Sequence, residues 1–209
     1  LKNKFIFLLC LFVLSATAAY AYVVFDVDRA LEYYNQKQQG FAVPSVPKKQ
    51  TDAFARHFAD MQAATEPMFL PDSPFLDMDG KKRTLADFRG KPVLVNLWAR
   101  WCAPCIVELP SLQDMAKRYA GKIEVVAIAM EQGKEPKDIA DFLEKRSLGD
   151  FAGYLDKNGE FATKLGLRGI PTSFLLGSNG QILYRFEGDA EWLHPDATEF
   201  FDVFLLQSP

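Results

Sequence analysis

The feature that most restricts how this chain can fold is the pair Cys102 and Cys105, set between two unlike periodicities. Before it, Pro92-Val93-Leu94-Val95-Asn96-Leu97-Trp98 is a nearly unbroken apolar run rich in β-branched residues, the pattern of a strand covered on both faces. After it, Ile106, Leu109, Leu112, Met115, Ala116 and Tyr119 recur at helical spacing as far as Gly121, a residue suited to end a helix. The cysteines therefore fall where a buried strand stops and a helix starts. Free backbone N–H groups and the positive end of the helix dipole favour an anion at such a place. The setting predicts a lowered pKa for Cys102 and makes it the attacking thiol. Cys105, one helical turn further in, is placed to resolve the mixed disulfide that the attack creates.

A Cys-x-x-Cys pair is also half of a zinc site, which needs about four ligands. The other candidates are Cys10, inside an apolar leader, and His57 and His194, isolated from each other in sequence. The pattern therefore favours a redox dithiol over a metal site, and no metal ligand set is expected. With 49% hydrophobic residues the chain can build a core, and its formal net charge of −3 supplies no basic stripe for nucleic acid.

The leader bears on compartment. Lys2 and Lys4 precede Phe5 to Phe25, a run without a charged side chain and about long enough to cross a bilayer as a helix. Residues 1–25 read as a signal anchor held by its lysines on the inner side. A cleaved signal peptide, cut after Ala18 or Ala21, remains the alternative. Either way the domain is exported, to the periplasmic side of an inner membrane or its equivalent. Residues 26–66 read as a linker with weak helices, in which Thr51 caps a short helix carrying Phe54, Phe58 and Met61 on one side. The competing idea is that this aromatic face docks on the following domain, residues 67–209, or on a partner.

That domain alternates strands and helices. Pro74 to Leu85 reads as a β-hairpin around Asp79-Gly80, and Leu85 to Phe88 as a helical turn. Ile123 to Met130 is a second buried strand, parallel to the first by the strand–helix–strand rule. Pro136 opens a helix with Ile139, Phe142 and Leu143 inward. A short strand over Phe151 to Leu155, a strand after Pro171, its antiparallel partner from Gln181, and a terminal helix from Pro195 complete the order.

The order strand, Trp101-Cys102-Ala103-Pro104-Cys105, helix interrupted by Pro110, then Gly169-Ile170-Pro171-Thr172, resembles the thioredoxin fold. Asn96-Leu97-Trp98-Ala99, Glu108-Leu109-Pro110 and Gly188-Asp189-Ala190-Glu191-Trp192 narrow the resemblance to TlpA-type membrane-anchored thiol–disulfide oxidoreductases, over about residues 67 to 207. The resemblance implies an α/β fold, a central mixed sheet flanked by helices, with an added N-terminal β-hairpin. It implies a cis peptide bond at Pro171, facing the dithiol, with Ile170 and Thr172 shaping contact with substrate beside Trp101, Ala103 and Pro104. It makes Glu108 a modulator of thiol ionisation or a proton shuttle, where the bare sequence allows a solvated helix glutamate equally well. Where cytoplasmic thioredoxin has a buried aspartate, this chain has Asn96, which cannot titrate. Arg100 either points at the Cys102 sulfur or faces solvent and selects an acidic partner.

The activity so implied is reduction of disulfides in partner proteins, with copper-site or haem-site cytochrome assembly factors as substrates. It needs a membrane electron donor for recharging and no cofactor beyond the dithiol. Two alternatives stand beside it. One is an oxidase using the same residues in reverse, although Glu131 to Gly149 is too short for the helical insertion such oxidases carry. The other is a copper-binding assembly protein that adds His194 to the cysteines.

Overall fold

The computed structural model describes residues 43–149, 151 and 153–207. The expected anchor at 5–25, Cys10 and the first part of the expected linker lie outside them. Among the described residues no helix is long and apolar enough to cross a membrane.

The run that ends at Trp98 becomes β4 (Val93–Trp98) once the strands before it are counted, and all six of its residues are buried. It has both neighbours its apolar composition demands. β5 (Glu124–Ala129) lies parallel to it and β7 (Thr172–Leu176) antiparallel, in the registers Asn96↔Ala127 and Asn96↔Ser173. Outward on one side come β8 (Ile182–Glu187) and β1 (Asp60–Ala63). On the other come β6 (Gly153–Leu155), then the hairpin β2 (Phe75–Asp77) and β3 (Lys82–Arg83). The result is one mixed eight-stranded sheet in the order β1-β8-β7-β4-β5-β6-β2-β3. The expected hairpin and the parallel β4–β5 crossover are both present.

Among the described residues five α-helices flank the sheet: α1 (Lys48–Ala55), α2 (Ala103–Arg118), α3 (Pro136–Glu144), α4 (Glu160–Leu165) and α5 (Pro195–Gln207). The terminal helix turns Phe200, Phe201 and Phe204 inward, all fully buried, whereas Leu205 is only half-buried.

The larger departure concerns residues 43–66. They are read as linker in the sequence, yet β1 pairs with β8 (Asp60↔Glu187 to Ala63↔Tyr184) and α1 buries Phe54 completely. The ring of Phe54 lies 5.7 Å from Phe186, 5.0 Å from Phe200, 5.7 Å from Phe201 and 6.2 Å from Trp192. Such aromatic pairs add about 0.5–1.5 kcal/mol each beyond the area they bury. The docking alternative is what the structure has. Thr51 does not cap the helix, because α1 begins earlier, at Lys48 after Pro47. The sequence does not mark this strand, because Asp60-Met61-Gln62-Ala63 is an edge segment of only four residues, half of them exposed, too short for its alternation to stand out.

Phe54→Ala is therefore expected to cost about 3–5 kcal/mol in urea unfolding of the oxidised chain. A spacer residue would change the midpoint by almost nothing.

Candidate active site

β4 ends at Trp98 in the middle of the sheet, and the chain turns over Ala99 to Trp101, closed by Cys102 N–H donating to the Ala99 carbonyl at 3.1 Å. Cys102 has extended geometry (φ −92°, ψ 100°) and is the N-cap of α2. Its sulfur accepts the Cys105 N–H at 3.3 Å. Pro104 in the first helical turn lacks an N–H that would have had no intrahelical partner. Cys102 and Cys105 form a disulfide with an S–S distance of 2.03 Å. Cys102 keeps 6% of its surface and Cys105 none, so an incoming group meets Cys102 first.

Facing the sulfur is the loop before β7. The Ile170–Pro171 bond is cis, and the Ile170 carbonyl oxygen lies 3.7 Å from the Cys102 sulfur. The Pro171 carbonyl accepts the Gly188 N–H at 3.1 Å, which ties this loop to the end of β8. Thr172 does not offer its side chain to a visitor. It is buried, with its hydroxyl donating to the Gly169 carbonyl at 2.8 Å, and so holds the loop from behind. Ile170 is half-buried against the core. Ala103 and Pro104 are exposed, and Trp101, next to Cys102 in the chain, is 73% exposed. Trp98, by contrast, is core.

Glu108 lies one helical turn beyond Cys105 and is 2% exposed. Of the two sequence alternatives, the solvated glutamate is not what the structure contains. Its Oε1 accepts from Asn96 Nδ2 at 2.7 Å, and its Oε2 accepts from Trp192 Nε1 at 3.0 Å and Ala190 N–H at 3.2 Å. Asn96 Nδ2 also donates to the Ser173 hydroxyl at 2.9 Å. Ser111 secures the far side by accepting the Trp192 N–H at 3.1 Å. Burial, joined by the negative charge of the nearby Asp189, disfavours the carboxylate more than these donors can offset, and the Glu108 pKa rises to about 7.

Arg100 does neither of the things its position suggests. Glu131 takes its backbone N–H at 2.6 Å through Oε1, and its guanidinium through Oε2 at 2.8 Å from Nε and 2.6 Å from Nη2. That hydrogen bond raises the Arg100 pKa and fixes the turn leading into Cys102. Glu131, Ala190 and Trp192 have no role in the sequence reading. Only the Gly188–Trp192 segment, part of the resemblance, signalled that something there mattered. Among the described residues, the one group of three ligand-type side chains, His57, His194 and Asp196, contains neither cysteine. The structure thus does not assemble the dithiol with His194.

The sequence model of the Redoxin family matches residues 57–200. Thiol-disulfide oxidoreductase ResA of Bacillus thuringiensis is 34% identical over 122 residues, which is 57% of this chain and 68% of that protein. Thioredoxin-like protein YneN of Bacillus subtilis is 35% identical over 113 residues, 54% of this chain and 65% of that one. A crystal structure assigned as a thiol:disulfide interchange protein DsbE from Chlorobium tepidum superposes with a TM-score of 0.55 at 28% identity, covering 67% of this chain and 94% of that chain. The mixed sheet with its flanking helices is the thioredoxin-like fold that the resemblance implies.

The buried carboxyl makes stability depend on pH in a definite direction. With a folded pKa of about 7 against an ordinary glutamate value of 4.5, the folded state holds a proton that the unfolded state has released between these values. Stability from this group is complete below about pH 4.5 and is lost as the pH rises through about 7. Relative to Glu108→Gln, the oxidised protein should lose roughly 3 kcal/mol across that window in urea unfolding. Parallel pH profiles for the two proteins would contradict the assignment.

Proposed function

The chain belongs to the Redoxin family and is a thiol–disulfide oxidoreductase, and from that premise we propose that it works outside the cytoplasm as a reductant of protein disulfides. The observation that carries the reading is Cys102 at the N-cap of α2, its sulfur in reach of solvent and facing the Ile170–Pro171 peptide, with Cys105 buried behind it.

In the reduced enzyme the Cys102 thiolate attacks one sulfur of a partner disulfide. A Cys102–partner bond forms, the partner bond breaks, and the leaving sulfur takes a proton. Cys105 then gives up its proton and attacks Cys102, which closes the intramolecular disulfide and releases the second partner thiol. Two electrons and two protons pass to the partner. Glu108, one turn from Cys105 and poised near neutrality, is the group that exchanges a proton with the resolving thiol. Trp101, Ala103, Pro104 and the Ile170 carbonyl form the surface met by the partner. The cycle calls for no cofactor, only an external dithiol donor to restore the pair.

Export rests on the two lysines and uncharged run of the leader, which also supports anchoring to the inner membrane. The TlpA-type resemblance points to disulfides of copper-site or haem-site cytochrome assembly proteins as substrates, with a membrane dithiol protein as donor. Operation in reverse, as an oxidase, uses the same residues. The connection from β5 to β6 favours the reductant, because α3, nine residues long, is its only helix among the described residues.

Cys102→Ser is expected to abolish reduction of insulin disulfides, while Cys105→Ser accumulates mixed disulfides with the substrate on non-reducing gels. Activity retained by Cys102→Ser would reverse the roles of attacker and resolver. A glutathione-buffered redox titration decides direction. A midpoint near roughly −270 mV supports a reductant, and one near roughly −120 mV an oxidase.

A further inference from the structure

The sequence treats its two histidines as unrelated, but the fold stacks them. The rings of His57 and His194 lie with centroids 4.2 Å apart. Both turn a nitrogen toward the same oxygen of Asp196: His57 Nε2 at 2.9 Å and His194 Nδ1 at 3.6 Å. One ligand atom from each of the three residues falls within 4.8 Å of the others. We propose that His57, His194 and Asp196 form a binding site for a divalent late transition-metal ion, of the zinc or copper(II) class, separate from the dithiol.

The geometry suits such an ion. Tetrahedral bonds of 2.0–2.2 Å separate neighbouring ligand atoms by about 3.3 Å, and the two measured separations bracket that value. Two imidazoles and one carboxylate are a donor set for zinc, copper(II) or nickel(II) rather than for calcium or magnesium. The side chains are 27%, 40% and 27% exposed in the order His57, His194, Asp196. An ion can therefore enter, and water can complete its shell.

The ligands stand on backbone held by the core. His57 follows α1, its N–H donating to the Phe54 carbonyl at 3.0 Å, and Phe54 is locked among Phe186, Phe200 and Trp192. The His194 carbonyl accepts the Thr198 N–H at 3.0 Å at the start of α5. An ion here would clasp α1 to α5, two residues beyond the Trp192 that holds Glu108.

Binding has identifiable costs. His57 must release the proton it shares with Asp196, and His194 Nδ1 must exchange the Asp196 N–H, now at 3.2 Å, for the metal. Arg56 Nη2 lies 3.9 Å from the same carboxylate oxygen, but its side chain is 70% exposed and free to swing out.

The test uses the full chain in its oxidised form, with Cys10→Ser, so that no thiol competes. Zinc chloride is titrated by calorimetry. The expected result is one ion per chain, with affinity weakened about tenfold or more by His57→Gln and by His194→Gln. The midpoint of thermal unfolding should rise by about 5 °C at a hundredfold excess over the Kd. Copper(II) electron paramagnetic resonance on the chain with both histidines intact provides a second reading, and two imidazole nitrogens are expected in the copper shell. No binding at millimolar zinc, affinity unchanged from the parent chain in both variants, or a copper spectrum without imidazole nitrogens would each overturn the site.

Discussion

A single backbone donor, the Cys105 N–H pointing at the Cys102 sulfur, is the contact on which the chemistry depends. It exists because α2 starts at Cys102, and α2 starts there because β4 has run out at Trp98. β4 in turn is fixed by burial on both faces, between a parallel and an antiparallel neighbour. Sliding it by one residue would reverse the face of every side chain it carries. The sulfur therefore inherits its position from the most buried strand of the molecule. The Arg100–Glu131 pair fastens the turn in between.

Behind the dithiol, Glu108 records a contest in which burial outweighs hydrogen bonding. Removal from water opposes its charge, while the Asn96 amide, the Trp192 indole and the Ala190 N–H support it. Burial prevails but the donors limit its effect, so the group titrates at about 7 and can hold or release a proton at ordinary pH. Trp192 extends this balance outward. Its ring packs among Phe54, Phe58, Phe186 and Phe201, so the helix before the sheet helps to place a donor to a carboxyl beside the cysteines.

The strands and helices of residues 67–207 were legible because each carries its own periodicity: six consecutive buried residues in β4, an apolar stripe in α2, Asn179-Gly180 between β7 and β8. The dithiol was legible from the junction alone. Pairings between distant segments left no such trace. Phe54 announces a stripe but not the core it fills, and Asp60-Met61-Gln62-Ala63 joins the sheet as a half-exposed edge only four residues long. Arg100 meets Glu131 across the end of the parallel pair, and His57 meets Asp196 over 139 residues. In each case the partner's identity depends on the finished packing. Glu108 was legible as a position on a helix face, whereas its burial depends on the Ala190–Trp192 segment closing over it.

The most direct test of the central claim is the pH dependence of alkylation of the reduced chain by iodoacetamide, with the modified peptide identified by mass spectrometry. Modification is expected at Cys102 first, with an inflection well below the free-cysteine value of about 8.5, and slow modification at Cys105. Alkylation of Cys105 ahead of Cys102, or a Cys102 inflection at the free-cysteine value, would contradict it.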